Sequence, residues 1–228
     1  MAIAIIAILI FVALAFLPSF WVRRVIETHG GHRADFPGTG GEFARHLLDE
    51  MKLTNVAVEE TNMGDHYDPQ AKTVRLLPQH YTGKSLSAVV IAAHEVGHAM
   101  QDATQYPPLS ARSRMAKMSG TIQSVGMVVM LAAPVMVLLT KSPAMALLNV
   151  AGGVMIMGFT VLIHAVTLPV EFDASFKRAL PVLKAGNYIS EHDMKNARQI
   201  LWAAALTYVA AAGMSLIDIA RWIRFLRF

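Results

Sequence analysis

No cysteine occurs in the 228 residues, which rules out disulfides, thiolate metal ligands and a cysteine nucleophile. Charge is scarce too: 16% of the residues are charged, 54% are hydrophobic, and the mean hydropathy is +0.44. So apolar a chain reads as a membrane protein. Basic residues exceed acidic ones by only 20 to 16. They form no continuous stripe, so nucleic acid is not expected as a partner. Internal repeats and low-complexity linkers are also lacking. The 14 methionines fall mostly in apolar runs, where adaptable packing accounts for them.

Long apolar runs are what the chain does have. Residues 1–22 carry no charge before Arg23, and no Lys or Arg precedes the apolar core as a signal peptide would require. Trp21 and Arg23-Arg24 read as an interfacial anchor, so this run is expected to be an uncleaved transmembrane helix. Residues 120–139 and 144–168 are each long enough to span a bilayer at 1.5 Å per residue. The short link Thr140-Lys141-Ser142-Pro143 makes a transmembrane hairpin of the region 120–168. A fourth apolar run begins at Ile200, and residues 200–228 end in a tail with Arg221, Arg224 and Arg227. The fold expected is therefore an α-helical multi-pass membrane protein with about four transmembrane helices. Residues 23–117 form the long polar segment, and 169–199 a second, shorter one.

Within the polar segment lies His94-Glu95-Val96-Gly97-His98, an H-E-x-x-H pattern. On a helix, residues i and i+4 share a face, so both imidazoles can reach one metal ion. Zinc suits neutral imidazole, and Glu95 is placed to act as general base toward a metal-activated water. Ser85 is a fitting N-cap and the following residues contain no proline, so a helix is predicted over 85–104. This helix is not itself a span, because only residues 86–93 precede the charged positions. Upstream, an amphipathic helix is predicted over 42–51, with strands at 55–59 and 72–77 forming a small hairpin. Residues 62–69 carry loop and turn chemistry. A helix, a hairpin and then the metal helix is the order expected of a small α+β zincin-like metallopeptidase domain.

A catalytic zinc site needs a third protein ligand. Thr104 stands where a metzincin would have its third histidine. Asp65, His66, Asp68, His80 and Asp102 are candidates in the polar segment, and Glu171 beyond the hairpin. Pro169 marks a helix start on leaving the membrane, which places Glu171 in a first turn, where an acid is also favoured by the helix dipole. Spacing alone leaves the choice open.

Three stretches together resemble the YugP-type bacterial membrane zinc metallopeptidases: Gly64-Asp65-His66-Tyr67-Asp68-Pro69, Ala92-Ala93-His94-Glu95-Val96-Gly97-His98-Ala99-Met100-Gln101 and Leu168-Pro169-Val170-Glu171-Phe172-Asp173-Ala174-Ser175. The resemblance covers nearly the whole chain. More distantly the chain is similar to the HtpX- and CAAX-type gluzincin membrane proteases, which place a transmembrane hairpin between the metal helix and a ligand Glu. The resemblance implies that Glu171 is the third zinc ligand beside His94 and His98, and that the protein is an endopeptidase. One position departs from the gluzincin pattern: the Asp that orients a ligand histidine there is Ser175 here. Asp173, a backbone carbonyl, Asp65 or Asp68 are left as alternative orienters. His66, Tyr67, His164 and Tyr188 are the candidates for stabilising the oxyanion. Glu95 also bears on the rival reading, a non-catalytic zinc-containing membrane scaffold or assembly factor, since a structural site has no need of a base.

Four spans put both termini on one side of the membrane, with 23–117 and 169–199 together on the other. The site's side then carries eleven basic residues near the spans: Arg23, Arg24, Arg33, Arg112, Arg114, Lys117, Lys177, Arg178, Lys184, Lys195 and Arg198. The opposite side has four, Lys141, Arg221, Arg224 and Arg227. The positive-inside rule predicts a cell-membrane protein whose catalytic domain faces the cytoplasm, acting on protein or peptide substrates presented at the bilayer.

Overall fold

A computed structural model describes residue 17 and residues 19–206 of the chain. Helix α1 covers residues 19–28. Helix α2, Gly40–Glu50, starts with a complete capping box: the Thr39 hydroxyl accepts from the Glu42 amide, and the Glu42 carboxylate accepts from the Thr39 amide. Its apolar stripe, Ala44, Leu47 and Leu48, is fully buried.

Three short strands follow: β1 (Ala57–Glu60), β2 (His66–Asp68) and β3 (Thr73–Leu76). The sheet order is β1-β3-β2, with β1 parallel to β3 and β2 antiparallel to it. This corrects the predicted hairpin, because the two predicted strands do pair, but in parallel. The segment read as loop supplies the missing antiparallel strand. Tyr67 makes it possible: its ring is buried in the core while its hydroxyl donates to Asp102 at 2.6 Å.

After a single turn, α3 (Pro78–Tyr81), comes α4, Leu86–Ala103, within a residue of the predicted bounds. The Ser85 hydroxyl accepts from the Ala88 amide at 3.1 Å, as an N-cap should. Nearly every side of α4 is buried, from Leu86 to Gln101. A helix apolar all round belongs at the centre of a domain, and here α2, the sheet and the C-terminal segment surround it. Gly40 permits the close crossing with α2: a Cβ there would stand 2.9 Å from the carbonyl oxygen of Ala88.

Helix α5, Pro107–Thr140, and helix α6, Pro143–Phe172, pack on each other along the predicted hairpin. Pro169 does not open a new helix. It lies inside α6, so Glu171 falls in the last turn of that helix rather than in a first turn. The chain continues directly into a π-helical stretch, Asp173–Ala179, then α7 (Leu180–Ala185) and α8, whose described residues are 191–206. Among the described residues one helical stretch, Ala151–Ala185, is long and apolar enough to cross a membrane. Most of the first predicted span and most of the fourth lie outside the described residues.

Candidate metal centre

His94 and His98 extend from one face of α4 with their rings edge to face, centroids 4.8 Å apart. Glu171 comes to them from the end of α6. One of its carboxylate oxygens, Oε2, stands 3.2 Å from His94 Nε2 and 3.5 Å from His98 Nε2. One ligand atom from each of the three residues lies within 4.8 Å of the other two. Four-coordinate zinc with nitrogen and oxygen ligands at about 2.0–2.1 Å separates neighbouring ligand atoms by about 3.3 Å. The two carboxylate–imidazole separations fit such a site.

The other imidazole nitrogens are already engaged. His94 Nδ1 lies 3.0 Å from the Ser175 hydroxyl, and His98 Nδ1 lies 2.9 Å from Gln101 Oε1. Gln101 is itself fixed, because its amide donates to the Val170 carbonyl at 2.8 Å and to Asp173 at 2.9 Å. An amide held that way round presents its oxygen to His98 as an acceptor. His98 Nδ1 must therefore be the donor, which leaves the Nε2 lone pair for a metal. Asp173 in turn accepts from Arg178 at 2.7 Å.

Glu171 is 2% exposed, and its second oxygen, Oε1, has no hydrogen bond. The nearest cation is Arg112 of α5, an ion pair at 3.5 Å. Burial alone would push this carboxyl up, but the two imidazoles hold it well below the usual carboxylate range. Glu95 is also buried, and there burial outweighs the pull of His94 and pushes it up to about 7. The two carboxyls thus differ in kind: Glu171 is held ionised, whereas Glu95 keeps its proton up to near neutral pH.

The π-helical stretch brings the two halves of the site together. At Gly97 a Cβ would lie 2.8 Å from the Ala174 carbonyl oxygen, so α4 admits this backbone only because the fourth residue of the motif is glycine. Asp173 and Ser175 are then held against Gln101 and His94. π-Helical turns recur at functional sites. Gln101 was missed by the sequence reading, although its position three residues after His98, on the same helix face, was a usable signal.

The other candidates are committed elsewhere. Asp65 accepts from the Leu77 amide and pairs with His80, each at 2.8 Å. His66 Nδ1 turns back to the Gly64 carbonyl at 2.8 Å, and Asp68 pairs with Arg75 at 2.8 Å. Asp102 holds Tyr67 and Lys72. Tyr188 bonds to His46 at 3.0 Å, in an apolar pocket with Phe36 and Phe43 rather than beside the metal ligands. Tyr67 does line a cleft with His98 and Arg112. His164 lies on α6, half-buried.

Sequence comparison agrees with this chemistry. No solved structure matches the chain. A Bacillus subtilis (strain 168) protein named "Putative membrane protease YugP" is 35% identical over 213 residues, 92% of this chain and 90% of that protein. The pattern of a family described as "Putative neutral zinc metallopeptidase" matches residues 4–227. That match embraces the metal helix, the hairpin and the Glu171 segment alike, so the cofactor is zinc and the chain belongs to this neutral zinc metallopeptidase family.

Proposed function

We propose that the protein is a membrane-embedded zinc metalloendopeptidase, with His94, His98 and Glu171 as zinc ligands and Glu95 as general base. Zinc held by three protein ligands supplies Lewis acidity to a water and to the scissile carbonyl. The residues do the rest. Ser175 and Gln101 keep the two imidazoles turned toward the site, and Glu171 closes it from α6. Glu95 takes one proton as the water oxygen bonds to the carbonyl carbon, then delivers it to the nitrogen as the C–N bond breaks.

Several features support the membrane setting. Val125, Val128, Val135, Leu138 and Leu139 of α5 are exposed, as are Leu148, Met155 and Leu162 of α6. An apolar surface of that extent calls for lipid or a partner. With the apolar runs at both ends of the chain this makes about four spans, and the distribution of basic residues directs the site to the cytoplasmic face.

The observation that carries the reading is a buried Glu95 beside a three-ligand site. A structural zinc closes with four protein ligands and has no use for such a base. Glu95→Gln is therefore expected to keep its zinc while peptide hydrolysis falls by about 10²–10⁴. In Glu171→Ala, zinc itself should be largely lost. Hydrolysis undiminished in Glu95→Gln would remove the base assignment. Zinc binding without hydrolysis in the wild type would favour the scaffold reading.

A further inference from the structure

A cleft of about 360 Å³ opens beside His98, between the edge strand β2 and the first turns of α5. Tyr67, Gln70, Leu109, Arg112 and Lys117 line it, and no carboxylate does. The acids nearby are already paired: Asp102 with Lys72 and the Tyr67 hydroxyl, Asp68 with Arg75, and Glu171 with the two imidazoles and Arg112. Arg112 reaches inward to Glu171. Lys117, at the rim, makes no ion pair among the described residues. Five residues separate the two cations on one helix, about 7.5 Å along its axis, so one stands at the metal ligands and the other at the cleft mouth.

Charge balance gives the cleft its sign. The lining brings two cations, Arg112 and Lys117, and no acid of its own; the ion pair of Arg112 with Glu171 offsets one of them. We propose that this cleft is an acidic-residue subsite: it selects peptide substrates with an Asp or Glu side chain close to the scissile bond, through Arg112 near the metal and Lys117 at the rim. The proposal rests on the peptidase reading for its substrate. The electrostatics of the cleft stand apart from that reading.

The test is equilibrium binding to the zinc-loaded Glu95→Gln protein in neutral detergent. The probes are fluorescent peptides that differ only by Glu or Gln at one position, moved along the sequence. In at least one register the Glu peptide should bind about tenfold more tightly, as charge-assisted hydrogen bonds allow, and salt should narrow the gap. Lys117→Ala should shrink the gap, and Lys117→Glu should turn the preference toward a Lys peptide. Arg114→Ala is the control, because Arg114 is exposed on the same helix and does not line the cleft. Equal affinities in every register would overturn the proposal. So would a gap that Arg114→Ala and Lys117→Ala diminish alike, since that is diffuse surface charge. Displacement of the Glu peptide by phosphatidylglycerol in the micelles would reassign the cleft to a lipid phosphate, overturning it as well. A wild type that hydrolyses peptides without acidic preference defeats this inference alone. One that hydrolyses none, while Glu95→Gln still prefers the Glu peptide, defeats the peptidase reading and leaves the acidic subsite standing.

Discussion

A partner that accepts from one imidazole nitrogen fixes the tautomer and the ring orientation that offer the other nitrogen to zinc. At His98 the holder is Gln101, locked by the Val170 carbonyl and by Asp173. Leucine at position 101 would fill similar space with no acceptor, leaving both the ring tautomer and Asp173 unanchored. Gln101→Leu is expected to weaken zinc binding about 10–100-fold, as loss of such a partner does elsewhere. Competition with a chelator measures it, and unchanged affinity would refute the role. Glu95 gives a second test, in the zinc-free protein. Its carboxyl is raised from 4.5 to about 7 by burial, so between those values the folded state holds a proton that the unfolded state has released. Stability of the zinc-free protein therefore falls as pH rises through this window, by about 3 kcal/mol at full ionisation. Glu95→Gln should remove the fall, melting higher than the wild type at pH 8 and not at pH 4. Parallel melting curves at both pH values would show that Glu95 is not titrating there.

At the scale of elements, the site depends on one backbone contact. A methyl at Gly97 would meet the Ala174 carbonyl at 2.8 Å, where a shift of either helix would move His94 and His98 relative to Glu171. Alanine adds helix propensity of up to about 1 kcal/mol, but overpacking costs about 1–3 kcal/mol. Gly97→Ala should therefore bind zinc more weakly and melt at lower temperature; a variant with wild-type zinc affinity would show that the π-helical segment does not position Glu171. The capped helices were legible from sequence, because Thr39 and Ser85 signal their starts through local chemistry. The two histidines and Glu95 were legible for the same reason, a spacing fixed by helix geometry. Strand β2 was not, since three residues with one apolar side chain carry no alternation to read. Nor was the parallel pairing of β1 with β3, which nothing local determines. Pro169 misled because a proline within a helix reads as a boundary, whereas α6 runs through it to Phe172.

At the scale of the whole molecule, the hairpin explains how residues so distant in sequence share one site. Helix α5 leaves the domain carrying Arg112 from the cleft, and α6 returns with Glu171, so the proposed pair of spans would bring the proposed third ligand back to the face it left. On the proposed ligand set, an even number of spans must separate the α4 histidines from Glu171, whichever face that is. The choice of face rests on basic residues. Arg112, Arg114 and Lys117 on α5, with Lys177 and Arg178 after α6, flank the spans on the site's side, while the described connection between α5 and α6 offers Lys141. Translocating the former group would cost far more than translocating the latter, so the site is expected in the cytoplasm. Arg221, Arg224 and Arg227 act in the opposite direction; interleaved with Trp222, Ile223, Phe225 and Leu226, they suit a tail lying in the interface, where basic residues carry less topological weight. A fusion after Pro78 places a reporter within the catalytic domain's own side of the membrane. Alkaline phosphatase there should be inactive and a fluorescent cytoplasmic reporter bright. Active phosphatase would put the site outside the cell, and its substrates with it.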